Sequence, residues 1–242
     1  MADHRAFIAG ATGYTGREVA RCLATLGVRT VAHVRPDSPR LGEWRDRFAA
    51  VGAATDATPW ERAAMTDTLA RLRPTLVFAL LGTTRARARD TARAGGGTES
   101  YETVDYGLTH LLLEAATEAA RTTGVRPRFV YLSAIGARED TRNAYMRVRG
   151  RIERELRQSG LPWLAVRPAF ITGDDRDESR PLERITARAM DAALALPALL
   201  GARRLRARYH SMSGTALGCG MARLALRETG EGRVVMGEEV RG

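Results

Sequence analysis

Short apolar runs alternate with helical patterns along the whole chain. Continuous apolar runs, typical of strands buried on both faces, predict strands over residues 6–9, 28–34, 75–81, 129–132 and 163–166, with a weaker strand over 48–55. Apolar positions at helical spacing predict helices between Gly16 and Gly27, from a capping box at Thr58 to Arg73, and over 102–121 and 143–158. This alternation, with connections too long for hairpins, predicts an α/β fold: a parallel sheet with helices on both faces.

No linker divides the chain, so we expect one domain over residues 1–242. Residues 1–170 form its predicted core. Residues 171–242, mostly helical with one short strand near Val234, are predicted to be a small C-terminal segment on the substrate side. Residues 86–100, which contain three consecutive glycines, are predicted to be a loop or a frayed helix.

The basic residues of this chain are unusual because they are all of one type. It has 38 basic and 28 acidic side chains, a formal net charge of +10, and every basic side chain is an arginine. A basic balance first suggests a nucleic acid or an acidic membrane as partner. The arginines, however, are spread from Arg5 to Arg241 and interleaved with acidic residues, which favours a chain-wide composition bias. The 44% apolar content excludes intrinsic disorder.

Cysteine usage and the apolar runs lead to expectations about location. Cys22 and Cys219 lie far apart without metal-ligand spacing, which suggests a reducing compartment and no disulfide framework. The N-terminus lacks the apolar stretch of a signal peptide, and the longest apolar run, 192–201, is about half the length that a membrane-spanning helix requires. We therefore expect a soluble, cytoplasmic protein. The four histidines show no metal spacing, so no metal is assigned.

A glycine-rich segment stands directly between the first strand and the first helix. Glycines there permit a tight turn and close approach to a pyrophosphate, while the helix N-terminus offers unpaired N–H groups. The pattern therefore predicts a Rossmann-type, doubly wound fold that binds a dinucleotide. The candidate cofactor-binding residues of this segment are Gly10, Thr12, Gly13, Tyr14, Thr15 and Gly16.

The end of the second strand indicates which dinucleotide is bound. An acidic residue there binds the ribose 2′-hydroxyl of NAD, whereas arginine accommodates the 2′-phosphate of NADP. Arg35 occupies this position, with Asp37 just beyond it. We therefore expect NADP(H) to be favoured over NAD(H).

Three further segments resemble the extended and atypical branches of the short-chain dehydrogenase/reductase superfamily. Val104-Asp105 with Thr109 is similar to the signature of its fourth helix, in which asparagine normally occupies the Asp105 position. Ser133 and Tyr145 have the usual serine-to-tyrosine spacing, and Arg167-Pro168 is similar to the segment that passes the nicotinamide.

A narrower resemblance covers nearly the whole chain. The segments 81–85, 132–137 and 175–181 resemble the NmrA-like and epimerase-like atypical reductases that are named for a human Tat-interacting protein. The resemblance implies an NADPH-binding Rossmann fold in an oxidoreductase or a regulator. It implies a cofactor contact at Pro168. Leu81 and Gly82, at the edge of the fourth strand, are expected to lie over the cofactor, and Thr83 either hydrogen-bonds the cofactor or caps the chain end. Asp56 resembles the residue that contacts adenine, although a loop aspartate that makes a turn explains it nearly as well.

The resemblance also implies a catalytic set made of Ser133, Tyr145 and Arg149. In this superfamily the tyrosine is the general acid/base, the serine orients the carbonyl or hydroxyl group, and a lysine four residues after the tyrosine assists. Here that lysine is replaced by Arg149, which keeps the charge but stays protonated and cannot relay protons.

Three interpretations of Arg149 stay open. It supports a slow or altered NADP-dependent reductase of small carbonyl or hydroxyl compounds; the chain binds NADP(H) without turnover and acts as a regulatory sensor; or Arg149 is one more surface arginine, with Tyr145 packed as an ordinary helix aromatic. The expected partners are a dinucleotide and an unknown small-molecule substrate, in a monomer or homodimer, with neither a membrane nor a nucleic acid as partner.

Overall fold

Seven strands and seven α-helices make up the described part of the computed structural model, which covers residues 3–82, 101–168, 212–227 and 231–241. The strands are β1 Arg5–Ala9, β2 Arg29–His33, β3 Ala54–Asp56, β4 Leu76–Ala79, β5 Arg128–Leu132, β6 Trp163–Arg167 and β7 Gly232–Met236. The helices are α1 Tyr14–Thr25, α2 Leu41–Ala50, α3 Arg62–Leu72, α4 Thr109–Thr123, α5 Ala144–Gln158, α6 Gly214–Leu226 and α7 Gly237–Arg241; a π-helix, Tyr101–Leu108, runs directly into α4.

All seven strands join one parallel sheet in the order β3-β2-β1-β4-β5-β6-β7. The chain fills one half of the sheet from β1 to β3 and then crosses to the other side of β1 with β4. The direction of winding therefore reverses between β1 and β4, and in such sheets ligands bind outside the carboxyl ends of the strands at this point. The predicted doubly wound fold is confirmed.

Alternate residues of the strands point into two separate cores, one on each face of the sheet. Ile8 packs in the core beneath α1, α2 and α6, whereas its neighbour Phe7 packs in the core beneath α3, α4 and α5. Both side chains are fully buried. Burial on both faces explains why the strands appear as continuous apolar runs rather than alternating ones.

Three predicted elements differ from the structure. The predicted strand over 48–55 is wrong over 48–53, because Trp44 and Phe48 lie one helical turn apart and pack their rings within α2; only 54–55 belong to β3. The helix predicted from Thr58 begins at Arg62 instead, and the Thr58 hydroxyl donates to Asp56 rather than capping it. The helix predicted over 102–121 is divided into the π-helix and α4.

The described residues near the C-terminus belong to the same core as the rest of the chain. β7 extends the sheet beside β6, and α6 packs along α1. Residues 212–227 and 231–241 therefore complete the sheet and its helical cover, in contrast to the predicted appended segment. Most of the rest of that segment, up to residue 211, lies outside the described residues, as do 83–100.

The two cysteines form a disulfide between α1 and α6, with the Cα atoms of Cys22 and Cys219 5.3 Å apart. The expectation of no disulfide is wrong. The two cysteines are 197 residues apart in sequence, but the parallel winding of the chain brings α6 back to lie beside α1. Within the described ranges, no helix is long and apolar enough to cross a membrane.

Candidate functional site

The glycine-rich turn is packed against the end of β4. Gly10 has a φ of +79°, and a Cβ there would stand 2.5 Å from the carbonyl oxygen of Leu80. A Cβ on Gly16 would stand 2.2 Å from the carbonyl oxygen of Gly10. These two positions therefore accept only glycine, since any side chain would push the turn off the sheet.

Gly13 is the exposed residue of the turn and the N-cap of α1. Its amide donates to the carbonyl of Gly10, and it has no side chain to cover the helix terminus, whose first turn contains no acidic residue. An uncovered N-terminus with its positive dipole end suits an anionic group. Thr12 is half-buried beside it, and Thr15 is buried in the first turn of the helix.

Tyr14 contacts α6 with its side chain. Its hydroxyl accepts a hydrogen bond from the Gly214 amide at 3.2 Å, and a Cβ on Gly214 would stand 2.2 Å from the tyrosine ring. The Tyr14 side chain therefore anchors the start of α1 to the start of α6.

Arginines lie just after β2 and at the starts of α1 and α2. Arg35 is exposed just after this strand, with its Nε 3.8 Å from Asp37. On the same side, the guanidinium groups of Arg17 and Arg40 lie 6.0 and 5.3 Å from the centroid of the Trp44 ring. Arg40 is paired with Glu43, whose Oε2 lies 2.9 Å from its Nε, so this region carries both positive and negative side chains.

Asp56 ends β3, next to His33 of β2. Its carboxylate accepts hydrogen bonds from both the amide and the hydroxyl of Thr58. The side chain thus makes a local turn, which is the alternative that the sequence left open.

Leu81 and Gly82 follow β4, half-buried and exposed respectively. A Cβ on Gly82 would stand 3.6 Å from Nη2 of Arg149 and 3.7 Å from Oδ1 of Asp105. The backbone at the end of β4 therefore covers this charged pair. Thr83 and the segment 175–181 lie outside the described residues.

Arg149 is buried, with only 4% of its surface exposed, so it is not a surface arginine. Its Nη2 donates to Oδ1 of Asp105 at 3.1 Å. Its Nη1 donates to the hydroxyl of Tyr131 at 3.2 Å and to the carbonyl of Leu132. The guanidinium is thus fixed against the end of β5 and the π-helix.

The charge of this guanidinium is permanent. Burial by itself lowers the pKa of Arg149, but the neighbouring Tyr131, Tyr145 and Asp105 groups outweigh this and raise it above its ordinary value. Burial also raises the pKa of Tyr131 to about 12, against the opposing charge of Arg149. Tyr131 is therefore a neutral hydrogen-bond partner, and Arg149 cannot release a proton at any physiological pH.

Tyr145 is half-buried at the start of α5, one helical turn before Arg149. The guanidinium carbon lies 4.6 Å from the centroid of its ring, and the Tyr101 ring packs edge-on at 5.3 Å. A cation over the face of an aromatic ring is attracted to it. The structure therefore brings Tyr145 and Arg149 together.

The Ser133 hydroxyl is hydrogen-bonded to a buried carboxylate of the protein. Ser133 follows β5 and is 2% exposed, and its hydroxyl donates to Oε1 of Glu153 at 2.6 Å. Glu153 also accepts two hydrogen bonds from Arg167, at 2.6 and 2.8 Å. The sequence predicts that Ser133 orients a carbonyl, but in this arrangement its proton is already donated. Pro168, the next residue after Arg167, is buried at the end of β6.

Sequence reasoning identified the Asp105 position from the resemblance but not its pairing with Arg149, and it missed Glu153. Glu153 lies one turn after Arg149 on α5, so the helical period places both charges on one buried face. That period was a usable signal for Glu153. The partners of both charges are distant in sequence, at Asp105 and Arg167, and no local pattern identifies them.

Comparison with known families shows to which family this chain belongs. A family model described as NAD(P)H-binding matches residues 10–191, which include the glycine turn, Asp105 and the Tyr145–Arg149 pair. The chain belongs to the NAD(P)H-binding family. Dinucleotide binding and the resemblance to atypical short-chain dehydrogenase/reductases are thereby confirmed.

Curated relatives in this family include fungal proteins. The chain is 30% identical over 176 residues to "Protein fmp52-1, mitochondrial" of Aspergillus terreus, covering 72% of this chain and 69% of that protein. It is 28% identical over 169 residues to "Protein FMP52, mitochondrial" of Debaryomyces hansenii, covering 69% and 67%. These relatives are named mitochondrial proteins, which contradicts the expected cytoplasmic location.

Solved structures show the same fold. The UDP-glucose 4-epimerase of Brucella ovis in complex with NAD matches with a TM-score of 0.63 at 18% identity, covering 96% of this chain and 76% of that one. The UDP-Glc/GlcNAc 4-epimerase of Campylobacter jejuni matches with a TM-score of 0.64 at 13% identity, covering 98% and 82%. At these identities the likeness concerns the fold alone.

The residues of the site fit the dinucleotide of this family. Gly13 leaves the N-terminus of α1 uncovered for a pyrophosphate, and exposed Gly82 leaves the end of β4 open. The buried Nε of Arg149 has no hydrogen-bond partner in the described part of the chain. Because an unpaired buried donor is costly, this nitrogen is suited to an oxygen of a bound molecule.

Proposed function

We propose that this protein is an NADP(H)-dependent oxidoreductase that acts on a small carbonyl or hydroxyl compound. The observation that carries the proposal is the position of Arg149, buried and hydrogen-bonded on three sides while its guanidinium faces the ring of half-exposed Tyr145. A buried permanent charge beside a phenol is costly to maintain and is the kind of arrangement found at catalytic sites.

Tyr145 is the proposed proton donor and acceptor. As a phenol transfers its proton, its oxygen develops a negative charge that is stabilised by a fixed positive charge nearby. Arg149 supplies that charge continuously but does not exchange protons itself. The proton that Tyr145 gives to a carbonyl oxygen is therefore replaced from solvent, to which its half-exposed side chain has access.

Ser133 takes a different part from the one its motif suggests. Since its proton is donated to Glu153, its oxygen has lone pairs free only to accept a hydrogen bond. It therefore suits the hydroxyl form of the substrate better than the carbonyl form. Glu153 and Arg167 hold the serine in this orientation.

The cofactor supplies the hydride when bound, and this chain provides its cradle. Gly10, Gly13 and Gly16 form the proposed pyrophosphate turn. Arg35, exposed just after β2, supports a preference for the 2′-phosphate of NADP(H). An arginine makes charge-assisted hydrogen bonds to phosphate that a ribose hydroxyl cannot match.

The test is NADPH oxidation against a panel of small aldehydes and ketones, comparing the wild type with Tyr145→Phe. Losing a general acid lowers turnover by about 10²–10⁴-fold. Binding of NADPH, followed by its fluorescence, should survive in the variant. Unchanged turnover in Tyr145→Phe, or no turnover by the wild type with any compound, contradicts the proposal.

A second candidate is a regulatory protein that senses NADP(H) without turnover. It is favoured by the hydrogen bond from Ser133 to Glu153 and by the inability of Arg149 to relay protons. It predicts NADPH binding without oxidation across the same panel. Activity gained in Arg149→Lys would then identify the arginine as the cause of inactivity.

A further inference from the structure

The disulfide between Cys22 and Cys219 lies outside the proposed catalytic site and links helix α1 to helix α6. α1 begins at the glycine turn, and α6 follows residues 169–211 in the chain. We propose that this pair is a thiol–disulfide exchange site that reacts with a small monothiol of the glutathione class, and that its redox state adjusts cofactor affinity.

Arg21 gives this site its chemistry. Its Nη2 lies 3.7 Å from Sγ of Cys219 and 3.8 Å from Sγ of Cys22. A guanidinium beside both sulfurs stabilises either one as a thiolate, which makes it a better leaving group. Glu18 holds the guanidinium in place through Oε2, at 2.9 Å from Nη2.

Access favours attack on one sulfur. Cys219 is half-exposed on α6, whereas Cys22 is 7% exposed. The incoming thiolate attacks Sγ of Cys219 and forms a mixed disulfide, while Cys22 leaves as a thiolate and takes up a proton. A second thiol attacks the small-molecule sulfur and releases Cys219. Two small thiols are thus oxidised to one disulfide, and the protein disulfide is reduced to two thiols.

The packing of the two helices transmits the state of this site to the glycine turn. Gly214 meets the Tyr14 ring, and a Cβ on Gly218 would stand 2.5 Å from Cβ of Glu18. These contacts follow one another along both helices, from the start of α1 to the disulfide. Cys22 lies eight residues after Tyr14, about 12 Å along the helix. The disulfide therefore fixes the helix pair that presents the turn.

The first experiment counts free thiols in the full chain with a polyethylene glycol maleimide in buffers of reduced and oxidised glutathione. We expect two reactive thiols at the reducing end and none at the oxidising end. Arg21→Gln should slow exchange about 3–10-fold, whereas Arg45→Gln, an exposed arginine on α2, should not. Thiols that stay free in oxidised glutathione, or equal rates in the two variants, overturn the exchange site.

The second experiment measures melting and NADPH binding in each redox state. Reduction should lower the melting temperature by about 5–15 °C, since the bond closes a very long loop, and weaken NADPH binding about threefold or more. Cys22→Ser should behave as the reduced protein in both buffers. Equal dissociation constants in the two states overturn the coupling. It rests on the proposed function only for the choice of NADPH; thiol counting and melting need no cofactor, so failure of the two proposals is distinguishable, and NADH is titrated in parallel.

Discussion

Nη2 of Arg149 lies 3.1 Å from Oδ1 of Asp105, and both side chains are almost completely buried at the carboxyl end of the sheet. In the superfamily that this chain resembles, lysine and asparagine occupy these positions. Arg149 keeps the positive charge of the lysine, whereas Asp105 adds a buried carboxylate that neutralises it.

Breaking this pair should destabilise the fold strongly. In Asp105→Ala the guanidinium stays buried without its counter-charge, and removing one partner of a buried pair costs about 3–5 kcal/mol. Urea unfolding measures this cost. The exposed pair of Arg121 and Glu118 is the control, since Glu118→Ala removes a surface ion pair worth at most about 1 kcal/mol. Equal losses in the two variants would show that the buried pair is not a stabilising unit.

Arg35 should control the choice between the two dinucleotides. Arg35→Ser removes charge-assisted hydrogen bonds of about 1.5–3 kcal/mol, so NADPH should bind about 10–100-fold more weakly while NADH binding is unchanged. Arg29→Ser is a matched control at the opposite end of β2, where the arginine pairs with exposed Asp3. Fluorescence titration with both cofactors checks this. Parallel losses of NADPH and NADH would contradict the assigned role.

Ser133 should contribute less to turnover than its motif suggests. Because its hydroxyl donates to Glu153, Ser133→Ala removes one accepted hydrogen bond from the substrate, worth about tenfold in rate. The rate of NADP⁺ reduction with an alcohol substrate, compared with that of Tyr145→Phe, gives the answer. A loss as large as that of the tyrosine variant would mean that Ser133 turns away from Glu153 during the reaction.

Stability should depend on pH through His33. Burial lowers the pKa of this imidazole, against the opposing hydrogen bond to the Thr58 carbonyl and the charge of Asp56. Below about pH 6.5 the unfolded chain therefore binds a proton that the folded chain resists, and stability falls as the pH falls, by at most about 1.4 kcal/mol per pH unit for one group.

Urea unfolding between pH 5 and 8 measures this dependence. His33→Gln, which keeps a hydrogen-bond donor, should flatten the slope below pH 6.5, and His4→Gln is the control. If the slope of the unfolding free energy against pH is unchanged in His33→Gln, other titrating groups cause the pH dependence.

The order of strands and helices could be predicted from the sequence because burial on both faces leaves continuous apolar runs. The prediction of a strand over 48–55 was wrong for most of its length, because the single helical turn from Trp44 to Phe48 is too short for its helical spacing to be recognised in the sequence. The glycine turn was predictable, since Gly10 and Gly16 are required by backbone contacts alone. The pairing of Asp105 with Arg149, 44 residues apart, depends on the packing of the π-helix against α5, which no local pattern encodes.

Arg149 and Tyr145 should act as one unit in proton transfer. The most direct measurement is NADPH oxidation by Tyr145→Phe, Arg149→Gln and the double variant, with circular dichroism to verify that each is folded. Groups that act as a unit lose their contribution together. All three variants should fall to the same residual rate, within about threefold. Losses that multiply in the double variant, or full activity in Arg149→Gln, would contradict this expectation.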